Sequence, residues 1–274
     1  MITIKKLSFR YEKVKVFDHF DLHVPEGQSC LITGINGVGK STLLRLMAGV
    51  LEPDEGEVIY NPKMGDVPKQ KIGFISDKLS IYESLTVSQG IDLHKSVYGI
   101  SKFDDSLVKH TKIRMNQKIK ELSIGQRTIL LLSLILSSEP EVLLIDEIIH
   151  SMDAYLRKFF LEQLIDLLSQ RSVTVIMVNV NFHDIEHMVD RVILLKDGKI
   201  AVDEAIDALK EKVKRVVSEN LPGDLPILSQ SGLPDRPDYF IYPFRDEFRR
   251  QINGEVVDLN LTEIVTAFIG GEYA

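Results

Sequence analysis

Nine consecutive residues, Gly34-Ile35-Asn36-Gly37-Val38-Gly39-Lys40-Ser41-Thr42, set three glycines, a lysine and two hydroxyls between an apolar run and a helix-forming one. Glycines let backbone N–H groups converge at a helix N-terminus, where the helix dipole favours an anion. The spacing fits G-x-x-x-x-G-K-[ST], and the predicted chemistry is capture of nucleotide phosphates. Lys40 is expected to reach the β and γ phosphates and the Ser41 hydroxyl to ligate Mg²⁺. ATP and Mg²⁺ are therefore the expected ligands of Gly34 to Thr42.

A second group of acids lies far along the chain. Val142-Leu143-Leu144-Ile145-Asp146-Glu147 is an apolar run that ends in two carboxylates. At the end of a buried strand, Asp146 could hold Mg²⁺ directly or through water, and Glu147 could polarise an attacking water. Strands ending in Asp-Glu are common, so the pair gains meaning only beside the glycine loop.

The elements that must position these residues read as an α/β core. Apolar runs recur at Cys30 to Ile32, Val142 to Ile145, Val173 to Val180 and Val192 to Leu195, with helical stretches between several of them. That alternation predicts a mainly parallel sheet, with Val142 to Ile145 and Val173 to Val178 covered on both faces. A helix is expected over Leu43 to Ala48, closed by Gly49. Alternation in Met1 to Phe9 and Val16 to Val24 predicts an N-terminal antiparallel β subsheet. A helical subdomain is expected over about 85–138, as an insertion that offers a docking surface. The expected division is a nucleotide-binding domain over 1–204 and an accessory region over 205–274. Five of the ten prolines (Pro222, Pro226, Pro234, Pro237 and Pro243) mark that region as loop-rich. Within it, Tyr239 to Tyr242 reads as a strand, and Thr262 reads as the cap of a helix ending at Gly270-Gly271.

Composition narrows the field of partners. With 33 basic and 40 acidic residues the net charge is −7 and the signs are interspersed, so nucleic acid is not expected as a partner. Lys210 to Arg215 reads as a solvated helix face, and the lone Cys30 as a buried small hydrophobe. The longest apolar run, Ile129 to Leu136, is well short of the roughly 20 residues a membrane span needs. Met1 to Lys6 alternates like a strand and lacks the apolar core of a signal peptide, so a cytoplasmic location is expected.

Leu122-Ser123-Ile124-Gly125-Gln126 stands 24 residues before Asp146 and precedes the apolar helix Ile129 to Leu136. Here the chain resembles the ATP-binding cassette family, whose signature reads Leu-Ser-Gly-Gly-Gln. Ser123 and the N–H groups of Gly125 and Gln126 would then form a second phosphate-directed helix N-terminus. The resemblance extends over about Met1 to Asp203. It implies that Tyr11 stacks on adenine, although a core tyrosine is an equal reading, and that Asp153 touches the other subunit. Asp190 to Ile200 matches the family's last core strand and turn.

The pattern is broken at several points. Asp77 stands where relatives carry glutamine, and a carboxylate there could still approach Mg²⁺ or the attacking water. Val180 stands where relatives carry a histidine that contacts the γ phosphate. His183 follows three residues later, in what reads as the first turn of a helix capped by Asn181 with Asp184 as its partner. Ile148 replaces a usual proline, and Ile124 adds bulk to the signature turn. Asp77 and His183 join Lys40 and Glu147 as candidate catalytic residues.

One loop and one signature per chain imply that ATP is sandwiched between two subunits, in a homodimer or with a paralogue. The leading expectation is the ATP-hydrolysing subunit of a transporter driving a separately encoded integral membrane permease, most like drug or antibiotic exporters. A soluble ATPase clamp and a hydrolysis-deficient module paired with a competent paralogue are the competing readings.

Overall fold

Alternating apolar residues at the N-terminus build β1 (Ile2–Tyr11) and β2 (Val14–Val24), an antiparallel pair that places Ile2 opposite Val24 and Phe9 opposite Phe17. Their inward residues Ile2, Ile4, Leu7, Phe17 and Val24 are buried. This is the hydrophobic-in, polar-out alternation of a sheet with one covered face. The computed structural model describes all residues except 77–82, 149–151, 171–172, 179–181, 183, 220, 234–235 and 271–274. Asp77, Val180, Asn181 and His183 therefore lie outside the described residues, while the described part of the stretch expected to be a helix after Asn181 forms a turn and a short 3-10 helix over Glu186–Met188.

The described chain divides into two compact units, 1–30 with 39–179, and 31–38 with 180–274. It passes from one to the other at β3 (Ser29–Gly34) and back between Val38 and Gly39. In the first unit, α1 (Lys40–Met47) begins three residues earlier than predicted. β4 (Glu55–Tyr60) then pairs with β1 to complete the order β2-β1-β4. β5 (Ile72–Ser76) leads into the helical insertion, α2 (Val87–Tyr98) and α3 (Ser106–His110). α4 (Ile124–Ser137) returns the chain to β6 (Val142–Asp146), and α5 (Ala154–Gln170) leads to β7 (Thr174–Val178).

β5, β6 and β7 are parallel neighbours with β6 between the other two, and every residue of β6 and β7 is buried. Continuous apolar runs suit strands covered on both faces. The Gln28 carbonyl, just before β3, accepts from the Val175 N–H at 3.1 Å. The insertion has its own core, formed by Val87, Ile91, Val108, Ile113, Ile119, Leu122, Leu130 and Leu134. Cys30 is buried, as its apolar surroundings predict, and its thiol donates to Gln28 Oε1 at 3.6 Å.

In the second unit, β8 (Arg191–Lys196) and β9 (Lys199–Ala205) form an antiparallel pair. They are joined by Asp197 and Gly198, both at positive φ, the geometry of a two-residue hairpin turn. Residues 205–274 correct the loop-rich expectation. After α6 (Ile206–Lys212), β10 (Lys214–Val217), β11 (Ile227–Leu233), β12 (Arg236–Ile241) and β13 (Glu255–Asp258) form a sheet of order β11-β12-β10-β13. Prolines mark its connections, and Pro237 is the second residue of β12, where the strand pairs with Gly232.

α7 (Leu261–Ile269) follows, capped by Asn260 and not by Thr262. The Asn260 side chain accepts from the Glu263 N–H while Glu263 reaches back to the Asn260 N–H, a capping box that Thr262 is one turn position too late to make. Lys210 to Arg215 is likewise no continuous helix face. α6 ends at Lys212, and the buried Lys214 on β10 donates to the Lys210 carbonyl and pairs with Asp258 at 2.7 Å. Among the described residues no helix is long and apolar enough to cross a membrane.

Candidate functional site

The loop from Gly34 to Thr42 uses its glycines for backbone shape. Gly34, Gly37 and Gly39 have φ of +142°, +83° and +109°, a region that costs a residue with a side chain roughly 1 kcal/mol or more. A Cβ at Gly34 would come within 2.3 Å of the Leu195 carbonyl oxygen, and one at Gly39 within 2.7 Å of Val16 and 2.8 Å of Phe17. Between them, the Val38 N–H donates to the Ile35 carbonyl at 3.3 Å, leaving Asn36 and Gly37 at the crown of the turn. Gly39 occupies the cap position of α1 and offers no side chain to its N–H groups.

The first turn of α1 meets the end of β6. The Ser41 hydroxyl donates to Asp146 Oδ1 at 2.8 Å, and Asp146 is buried at the last position of its strand. Lys40 is only 5% exposed and its Nζ stands 3.8 Å from Glu147 Oε1. Burial pulls the Lys40 ammonium below the usual lysine range, and the charges of Glu147 and Asp146 oppose that pull. A buried cation aimed at two carboxylates is costly to hold, which is the signature of a group kept for a ligand.

Glu147 departs from strand geometry. Its φ is +49°, in the left-handed region that a glutamate rarely adopts, and its N–H donates to the Val178 carbonyl at 3.1 Å. Its side chain is 40% exposed directly after the buried Asp146. One acid is thereby held beside Ser41 and the next is presented to solvent. Ile148 is buried behind them.

Tyr11, at the end of β1, is 42% exposed, which excludes the reading of a core tyrosine. Its ring packs edge-on against Phe9, and its hydroxyl accepts from Thr42 Oγ1 at 3.5 Å. Lys40, Ser41, Thr42, Tyr11, Asp146 and Glu147 are thus linked pairwise in the first unit. Asp77 and His183 are not among the described residues.

Ser123, Gly125 and Gln126 form the start of α4, earlier than the predicted Ile129. The Ser123 hydroxyl accepts from the Gln126 N–H at 3.2 Å, and Gln126 Oε1 accepts from the Ser123 N–H at 3.2 Å. This capping box corrects the expectation of an open donor at Gln126, because that N–H is already bonded within the turn. Gly125 has a packing duty as well, since a Cβ there would come within 2.5 Å of Leu156 Cδ1 on α5. Ile124 is 57% exposed on the turn. Asp153 caps α5, its carboxylate accepting from the Leu156 N–H at 3.0 Å.

Sequence reasoning missed a groove of about 390 Å³ in the first unit, lined by Val50, Lys69, Leu93, His94, Val97 and Tyr98 among others. Four of these, Val50, Leu93, Val97 and Tyr98, are exposed apolar or aromatic side chains. His94 lies against Tyr98 with ring centroids 4.5 Å apart, and its Nε2 is buried without a partner. The signal was present in the non-periodic apolar residues of α2, which a helix packed on one face only does not need.

A family model described as ABC transporter matches residues 17–150. YtrB, an ABC transporter ATP-binding protein of Bacillus subtilis (strain 168), is 27% identical over 296 residues, covering 99% of each chain. A probable sulfate/thiosulfate import ATP-binding protein, CysA of Chlorella vulgaris, is 31% identical over 215 residues, or 73% of this chain and 89% of that one. Among solved structures, an ATP-binding subunit of an ABC transporter has a TM-score of 0.68 at 21% identity, over 77% of this chain and 92% of that chain. A dimeric ATP-binding cassette in a post-hydrolysis state with ADP and Pi has a TM-score of 0.63 at 22% identity, over 75% and 99%. With the loop, the strand-end carboxylates and the capped signature turn all in place, the chain belongs to the ABC transporter family, as an ATP-binding ATPase.

Proposed function

We propose that this chain binds ATP between the loop Gly34 to Thr42 of one copy and the turn Ser123 to Gln126 of another, and that closure of this pair drives a separately encoded membrane permease. The observation that carries the reading is the joining of Ser41 to Asp146, with Lys40 and Glu147 beside them. The donor set fits Mg²⁺, which takes hard oxygen ligands from a hydroxyl, a carboxylate and water. The ion, when bound, supplies positive charge that offsets the phosphates. Asp146 and Ser41 would hold it, and Lys40 would face the β and γ phosphates. Glu147, exposed at the strand end, orients and polarises the attacking water. Tyr11 offers a half-exposed ring to the adenine.

The permease is proposed to seat a cytoplasmic segment in the groove on the helical insertion, on the strength of its exposed Val50, Leu93, Val97 and Tyr98. The chain would then sit on the inner face of the membrane through that partner. Export is the proposed direction, on the grounds of the compact insertion of α2 and α3 and the folded region 205–274, which the match to YtrB also spans. The domain reading remains a nucleotide-binding domain over 1–204 with a helical subdomain near 85–138.

Phosphate release by the purified chain, with Glu147→Gln as control, tests the reaction. Gel filtration with ATP tests the pair, which Glu147→Gln should accumulate as a dimer. Absence of phosphate release together with ATP-dependent pairing would convert the reading to a binding-only module. Transport into inside-out vesicles carrying the co-expressed permease separates export from import.

A further inference from the structure

Arg127, directly after the signature turn, is 27% exposed, and its Nη1 lies 2.6 Å from Glu83 Oε1. Its own N–H closes the first turn of α4 by donating to the Ser123 carbonyl at 2.9 Å. Glu83 is also held through its backbone, since its carbonyl accepts from the Lys120 N–H at 3.1 Å and the Leu85 carbonyl accepts from Ile119 at 2.9 Å. Thr86 bridges Lys118 in the same short ladder. The chain that arrives after β5 is therefore stitched to the chain that enters α4, and the ion pair is the side-chain stitch closest to Ser123.

Stability alone does not explain this pair. Glu83 is half exposed, and exposed ion pairs contribute little to folding. Arg127 Nε is buried with no partner, a cost that an apolar side chain of similar length would avoid. What the guanidinium adds over such a side chain is direction, because the short Nη1–Oε1 contact is a charge-assisted hydrogen bond that ties the start of α4 to one carboxylate oxygen. β5 ends at Ser76 beside Asp146, and only six residues separate Ser76 from Glu83.

We propose that Arg127, gripped by Glu83, is a positioning residue for ATP hydrolysis: the pair sets the orientation of the Ser123 to Gln126 turn toward the nucleotide held by a second copy of this chain. The inference rests on the sandwich reading above. The proposed role requires no contact of either residue with nucleotide. Their effect is on how often the closed pair forms and how well it is aligned.

The test uses the purified full-length chain and the variants Glu83→Gln, Arg127→Met and the swap Glu83→Arg with Arg127→Glu. ATP affinity of the monomer, read without Mg²⁺ and at chain concentrations too low for pairing with a fluorescent ATP analogue, is expected to be unchanged. The kcat for phosphate release and the ATP-dependent dimer fraction are expected to fall about tenfold in each single variant, the equivalent of one charge-assisted hydrogen bond. The swap should recover much of that loss, and thermal unfolding should stay close to wild type. Unchanged kcat in both single variants, a swap as impaired as the two losses combined, or a parallel loss of monomer ATP affinity overturns the proposal. A wild-type chain that neither pairs with ATP nor releases phosphate overturns the sandwich reading together with it, whereas the other outcomes overturn the ion pair's role alone.

Discussion

The Ser41 hydroxyl and Asp146 Oδ1 are 2.8 Å apart although 105 positions separate them in the chain. A helix that begins at Lys40 and a strand that ends at Asp146 have their functional ends together, which is how an open α/β sheet builds a site at the carboxyl ends of its strands. The buried carboxylate is already bonded to the one hydroxyl that would share a metal with it.

Asp146→Asn keeps that side chain's shape and removes its charge. Mg²⁺-dependent phosphate release should fall by about 10²-fold or more, with the residual rate no longer saturating over the same Mg²⁺ range. A Mg²⁺ titration of turnover decides it, and a wild-type curve from Asp146→Asn would remove Asp146 from the metal site.

Lys40→Met should separate ligand binding from stability. At neutral pH the buried ammonium costs the folded chain some of its hydration, a cost relieved as pH rises through its lowered folded pKa toward the ordinary lysine value. Without nucleotide, the variant should therefore melt within about 1 kcal/mol of wild type or above it, and wild type should gain on the variant as the solution becomes alkaline. The upward shift in melting temperature that ATP gives wild type should vanish. Calorimetry with and without ATP reads both effects.

Gly125→Ala sets helix propensity against packing. Alanine is favoured over glycine inside a helix by about 1 kcal/mol, yet its methyl would lie 2.5 Å from Leu156 Cδ1 and 3.3 Å from Leu156 Cβ. Overlap of that kind costs about 1–3 kcal/mol, so the variant should be less stable, and Leu156→Ala, itself destabilising, should cost less in the Gly125→Ala background than in wild type. Urea unfolding of the two single variants and the double variant measures the coupling; a stabilised Gly125→Ala would contradict the contact.

Tyr242 ties the C-terminal sheet to β9 by donating to Glu204 Oε1 at 2.8 Å. Burial, then the hydrogen bond and charge of Glu204, push its phenol up to about 12. Below the ordinary tyrosine value both states are neutral and the bond contributes fully. Above it the unfolded chain ionises first, so stability is lost as pH rises from about 10 to about 12. Tyr242→Phe should cost about 0.5–1 kcal/mol near neutral pH and show a weaker alkaline loss, as followed by urea unfolding monitored by far-ultraviolet circular dichroism.

The features legible in the sequence are those written in consecutive residues. The loop Gly34 to Thr42, the strand ending in Asp146-Glu147 and the Ser123 to Gln126 turn each carry their own physics, and each forms the local element that its residues dictate. Other features depend on distant groups. The left-handed backbone of Glu147 needs the Val178 carbonyl, and the packing demand on Gly125 comes from Leu156. In residues 205–274 the prolines suggested loops, but a proline near a strand end or in a connection is compatible with a sheet. Lys214 looked like one more surface charge because Asp258, its partner, stands 44 positions away. Asn260 and Thr262 are both competent caps, and only the return of Glu263 to Asn260 selects between them.

The bonded Ser123 turn also has a thermodynamic consequence. Its Gln126 N–H satisfies itself at home, so an incoming phosphate oxygen must displace the Ser123 hydroxyl and gains only the difference between two hydrogen bonds, about 1 kcal/mol. On the proposed sandwich between two copies, that contact is then an exchange with a small net yield, and small yields are readily undone. A pair held this way would let go as easily as it takes hold, which is what repeated cycling requires.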